Sequence, residues 1–225
     1  MPAIDPELQA LKENLQDMLS MVKEQMEKCM KSIEDRDTGI ADQVLGDEKK
    51  INMQELAIDR DCENILALFT PVATDLRLVL ATLKIANDLE RIGDSANSLA
   101  KVLRGSLSKR EYKWIDQLNI HSMLEVLVGM LKEMGSALRK ENTKPALKAA
   151  RKDDVLNDHF KKGVRTAADL IIKNPDEAKD ILTLIFMVRN LERSGDLTKN
   201  IAEEIVFQIE ARVLKHKGGK KKKGP

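Results

Sequence analysis

The chain is predicted to be all-α and to fold as two tandem three-helix bundles, on three observations. Aromatic residues make up 3% of its 225 residues and Gly and Pro number 11 and 6, so a sandwich or barrel would lack its usual strand and turn residues. Apolar side chains recur at three- and four-residue spacing through six long segments, the pattern of amphipathic helices. The stretch Asp88–Asp94, DLERIGD, returns as NLERSGD at Asn190–Asp196, 102 positions later. A motif repeated in the third and sixth segments marks a duplicated three-helix unit.

The first helix is expected over Pro6 to Asp37, with Leu8, Leu11, Leu15, Met18, Leu19, Val22, Met26 and Met30 on its inner face. The polar stretch DTGIAD breaks it, and the second helix follows over Ala41 to Phe69. Pro71, after Thr70, suits the first turn of a third helix, where its missing N–H is no loss. That helix should reach Leu103. The stretch RGSLSKR is the best boundary candidate, which divides the chain into bundles at residues 1–107 and 108–214. The fourth helix is expected over Tyr112 to Arg139 and the fifth over Pro145 to Lys173. Asn174, Pro175 and Glu177 then read as the cap, first-turn proline and capping-box acid of a sixth helix ending near Leu214. Long helices joined by short turns stack as antiparallel neighbours.

Each repeat sets a Glu and an Asp four residues apart, Glu90 with Asp94 and Glu192 with Asp196. On a helix these share one face, where two carboxylates repel unless a cation lies between them. Leu78, Ile85, Leu89, Ile92, Ala96, Leu99 and Leu103 form the inner stripe of the third helix, and Glu90, Asp94, Asn97 and Lys101 fall opposite. Leu76, Val79 and Leu83 occupy that opposite side in the preceding turns. The acids therefore begin where a buried face opens to solvent, and Ala178, Ile181 and Ile185 precede the second pair in the same way. A row of exposed acids ordinarily does no more than hydrate a surface. Here the repeat also keeps Gly93 and Gly195, and a mid-helix glycine costs ~1 kcal/mol against alanine unless something must approach closely. The preceding helix of each half adds acids at helical spacing: Glu48, Asn52, Glu55 and Asp59 on the second, Asp154 and Asp158 on the fifth. Brought alongside, four carboxyl or amide groups make a hard-oxygen site suited to magnesium, manganese or iron.

The net charge of +1 conceals an acidic body, because six of the 38 basic residues lie in the terminal stretch 215–225. That lysine-rich end is expected to be a disordered, solubilising tail. An acidic body without an aromatic platform argues against nucleic acid. Cys29 and Cys62 match no zinc or redox spacing and fit a reduced compartment. No basic region leads into an apolar run at the N-terminus, and no stretch approaches the ~20 apolar residues of a membrane span. A cytoplasmic protein is expected. His159, beside Asp158, reads as an exposed or core histidine and not as a ligand.

The motifs VLGDEKKINMQELAID, PVATDLR and DLERIGD in the first half, with DDVLND and LERSGDLTKNIAEE in the second, resemble the PhoU family of phosphate-uptake regulators over about residues 8–214. The resemblance implies a cytoplasmic, non-enzymatic, all-α protein of two three-helix bundles that carries metal on its surface. It implies contact with a sensor histidine kinase and with the ATPase of the phosphate ABC transporter, at the periphery of membrane complexes. Carried onto this chain, the metal ligands would be Glu90, Asp94, Glu192 and Asp196, with Asp154 and Asp158. The second helix departs from the pattern, since Glu48 pairs with Asn52 in place of an Asp, while Glu55 and Asp59 restore acids where the fifth helix has Lys161 and Arg165. Exposed helical faces predict a homodimer. The rival enzyme, a di-iron carboxylate oxidase, wants Glu-x-x-His pairs, and none of the three histidines has a Glu three positions earlier. A coiled-coil scaffold would need sustained heptads, which the two-faced third and sixth helices break.

Overall fold

The computed structural model describes residues 4–105 and 107–214. Among these there are eight α-helices, one 3-10 turn and no strand. Helix α1 (Asp5–Asp35) packs on α2 (Thr38–Phe69) and α3 (Ala73–Leu103), and α2 packs on α3, which closes the first bundle. In the second, α4 (Lys109–Gln117) continues into α5 (Ile120–Lys140), and α6 (Thr143–Ala150) into α7 (Asp153–Lys173). The 3-10 turn Pro175–Glu177 leads to α8 (Ala178–Glu210), on which α5, α6 and α7 all pack. The fold is thus the expected all-α pair of bundles, with the first and second helices of the second bundle each broken once.

The first break lies at Asn119, whose φ of 56° is left-handed, a region that Asn enters more readily than most residues. The amide of Leu118 still bonds the Trp114 carbonyl at 2.8 Å, and Met123 starts the next helix by bonding the Asn119 carbonyl at 3.0 Å. The offset lets both α4, through Trp114 and Ile115, and α5, through Ile120, Met123, Leu124 and Leu127, face the core. The second break, at Arg151 and Lys152, is a tight right-handed turn in which Lys152 N–H bonds the Ala149 carbonyl at 2.8 Å. It turns Asp153 inward.

Helix ends also differ from the sequence expectation. The DTGIAD stretch is mostly helical, since Asp37 caps α2 by accepting from Gly39 N–H at 2.8 Å. Pro71 precedes α3 and does not open it. Asn174 makes no cap on α8; its side-chain amide donates to the Leu170 carbonyl at 2.9 Å and so finishes α7. Glu177 instead pairs with Arg110 across the bundle. The strongest cap is Ser108, whose reciprocal bonds with Glu111 form a capping box that starts α4 three residues before Tyr112.

The two bundles share one core. Helix α3 lies antiparallel along α8, where Lys84 meets Glu204 at 3.1 Å and Asp88 meets Asn200, while α1 packs on α5. Gln16 donates to the Gly135 carbonyl across the latter contact at 3.1 Å. The inner stripe read from the sequence, Leu78 through Leu103, is buried throughout. Asn97 departs from that reading. Helix α3 is enclosed by α1, α2 and α8, so Asn97 is only 2% exposed instead of facing solvent with Glu90 and Asp94.

Candidate functional site

The acids of the first bundle come together on the groove between α2 and α3. Glu90 lies within the field of Asp94, Glu55 and Glu48, and Glu55 within that of Asp59 and Asp94. Five of the sequence-selected residues therefore share one ridge. Burial raises the Glu90 carboxyl above its usual range, and the neighbouring Asp94, Glu55 and Glu48 add to this, against a smaller opposing pull from Arg91. Glu55 is raised by burial and then by Asp59, while a bond from Asn87 works against the shift. Desolvation and like charge both penalise the ionised state here.

Three cations near this groove are engaged elsewhere. Lys28 is held by Asp47 at 2.8 Å and Glu24 at 2.9 Å, Lys50 by Asp47 at 2.7 Å, and Arg91 leans on Asp88 at 3.6 Å. Among the described residues, no ion pair closes onto Glu48, Glu55, Asp59, Glu90 or Asp94.

The second bundle assembles differently. Glu192 is raised by burial first and then by Asp196 and Asp153, with Arg189 opposing. Asp154 is exposed at the start of α7, and Asp158 is 70% exposed and faces Lys161 at 3.9 Å. The residue that reaches the Glu192–Asp196 pair is instead Asp153, which is 1% exposed. One of its oxygens accepts from Lys199 Nζ and from Asn157 Nδ2, both at 3.1 Å, and the other is buried without a hydrogen-bond partner. The bond to Asp153 raises Lys199, whose ammonium also lies in the field of Asp154 and Asp196. Sequence reasoning selected Asp154 and passed over Asp153 and Lys199. The signal was present, since Asp153 lies at helical spacing from the buried Leu156, Gly163 and Ala167, and an acid on a buried stripe requires a counter-charge. His159 is half-buried, with an Nδ1 that has no partner.

Of the two repeated glycines, Gly195 has a close-approach reason and Gly93 meets only ordinary contacts. A Cβ at Gly195 would collide with Leu156 Cδ1 and stand 3.2 Å from the unpartnered Asp153 oxygen. A Cβ at Gly93 would stand 3.4 Å from Gln25 Oε1, also buried and unpartnered, and from Ile51. The α8 backbone is thereby pressed against α7 one residue before Asp196.

The donor set is made of carboxylates and amides, which are hard ligands for magnesium, manganese or iron. The arrangement is an open ridge and not a preformed cage. Among the described residues, no three His, Cys, Asp or Glu stand close enough together to hold an ion. The first ridge presents carboxylates alone, and the second contains the Lys199 ammonium as well.

The PhoU domain family matches residues 15–103 and again 120–205. The phosphate-specific transport system accessory protein PhoU of Escherichia coli (strain K12) is 28% identical over 95% of this chain and 88% of its own length. The PhoU homolog of Pseudomonas aeruginosa is 31% identical over 94% of this chain and 87% of its own. The crystal structure of PhoU from Pseudomonas aeruginosa superposes with a TM-score of 0.84 at 30% identity, over 93% of this chain and all of that one. The phosphate transport system regulatory protein PhoU from Streptococcus pneumoniae shares the fold, with a TM-score of 0.78 at 23% identity.

Proposed function

This chain belongs to the PhoU family, and from that premise we propose that it is a metal-binding, non-catalytic regulatory accessory protein of phosphate transport. It acts in the cytoplasm and restrains phosphate uptake and the phosphate-starvation response. Its partners are the ATPase of the phosphate ABC transporter and a sensor histidine kinase. No described helix is long and apolar enough to cross a membrane.

The observation that carries this reading is the ridge of Glu48, Glu55, Asp59, Glu90 and Asp94, which gathers acids from two helices with no ion pair to them among the described residues. A cation supplied there offsets repulsion that the fold otherwise bears. Iron, manganese or magnesium held by these oxygens tightens α2 against α3 and so sets the surface that partners meet. The exposed apolar residues Met53, Leu56 and Leu68 on α2 supply area for such contacts and for a homodimer.

The test is elemental analysis of protein purified with manganese and iron available, beside a variant carrying Glu90→Gln and Asp94→Asn. The variant is expected to lose metal while keeping its helical content. Equal metal in both removes the ligand assignment. Capture of the transporter ATPase or the sensor kinase on immobilised protein tests the adaptor role separately, and failure to retain either one removes that partner.

A further inference from the structure

We propose that the cleft where the two bundles meet, beside the starts of α1 and α3 and the ends of α5 and α8, binds an aliphatic polyamine. This goes beyond the regulatory reading above and does not depend on metal at the ridges. The cleft has two chambers, of about 360 and 400 Å3, that share Lys12, Leu78, Glu141 and Gln208. Leu8, Leu15 and Leu78, all buried, give it apolar walls. Junctions between packed units are common places for small-molecule sites.

The side chain that points to an occupant is Gln208. It is 9% exposed, it lines both chambers, and its Oε1 is buried without a hydrogen-bond partner. An amide enclosed and left unbonded costs stability. A half-turn about its terminal torsion presents either the carbonyl or the NH2 group to the cleft.

Charge selects the class of ligand. Asp5, Glu13, Asp17, Asp75 and Glu141 line the chambers against two cations, Lys12 and Arg139. Lys12 is already held by Glu141 at 2.6 Å, and the exposed Arg139 leans on Gln16 at 3.5 Å. Asp17 and Asp75 have no ion pair among the described residues. An anion would meet this excess of acids and be repelled. Among the described residues no three such groups stand close enough to hold a metal ion. Carboxylates spaced along an apolar-walled cleft instead match ammonium groups spaced along methylenes.

The experiment is calorimetric titration of the full-length protein with spermidine at near-physiological salt, where one saturable site is expected. Asp17→Asn with Asp75→Asn should weaken it by about fivefold or more, and Gln208→Leu, of similar size, by about fivefold. Gln208→Leu should leave the melting temperature of the ligand-free protein unchanged or raised, so its lost affinity is not lost folding. The ridge variant Glu90→Gln, Asp94→Asn should bind as the parent does. Spermidine should also raise the parent's melting temperature, and the uncharged 1,8-octanediol should not. Absence of saturable binding, equal weakening in the ridge variant, or parental affinity in Gln208→Leu overturns the inference. So does binding of inorganic phosphate in place of spermidine that Arg139→Gln abolishes.

Discussion

At the scale of single residues, the contrast between the two motif glycines is the sharpest check on the packing. Gly195→Ala drives a methyl into Leu156, which is fully enclosed, and against the Asp153 carboxylate. It should destabilise by about 1–3 kcal/mol, as overpacking does. Gly93→Ala meets only ordinary contacts at 3.4 Å, so the gain in helix propensity, up to about 1 kcal/mol, should leave it neutral or slightly more stable. Urea denaturation of the two variants measures both. Lys199→Met is expected to cost about 2 kcal/mol in the same assay, because it leaves the buried Asp153 without its cation. The Glu-x-x-x-Asp pairs were legible in the sequence because i and i+4 spacing is a property of any helix. Asp153 was legible only as an acid on the stripe of Leu156, Gly163 and Ala167; the lysine it meets was not, because that depends on how α7 packs on α8. Nor was the burial of Asn97, which follows from the second bundle covering α3.

At the scale of elements, the second bundle breaks two helices that the apolar pattern alone reads as continuous. The pattern does not register the breaks because both halves still turn apolar residues toward one core. The Ser108 capping box begins α4 against an exposed linker, so Ser108→Ala should cost about 1 kcal/mol, read from the urea midpoint. The α2–α3 groove carries a pH signature. Glu55 and Glu90 have carboxyls raised above 4.5 by burial and neighbouring acids. Glu192 and Asp88 are raised too, by burial first. A raised carboxyl binds its proton more tightly in the folded chain, so these groups destabilise the fold when ionised and the penalty is relieved as pH falls toward the unfolded value. Metal-free protein should therefore gain stability as pH is lowered from about 7 to about 5. Asp47 acts oppositely: the bonds from Lys28 and Lys50 hold it below 3.8, and its contribution is lost on further acidification through its folded value. A urea midpoint that falls steadily from neutral pH downward would contradict the crowding of the ridge.

At the scale of the whole molecule, the bundles are not independent beads. Helix α3 lies along α8 and α1 along α5, with one apolar cluster running through all four. Unfolding should be a single cooperative transition. Trp114, buried in α4, reports the second bundle by fluorescence, and far-UV circular dichroism reports both; the two urea curves should coincide. Separate midpoints would mean that each bundle melts alone and that the shared face adds little. The same shared face holds the two acidic ridges in a fixed relation, which a regulator needs if a change at one ridge is to alter a surface built from both halves.

Composition, apolar spacing and the recurrent hexad were enough to determine the helical class, the duplication and the faces on which the acids lie, because these depend on periodicity within one helix. Which acids meet, and which of them a lysine answers, was decided only by tertiary structure. That outcome turns on the offset at two helix breaks and on the side chain one helix sends across to another, and neither is a property of local sequence.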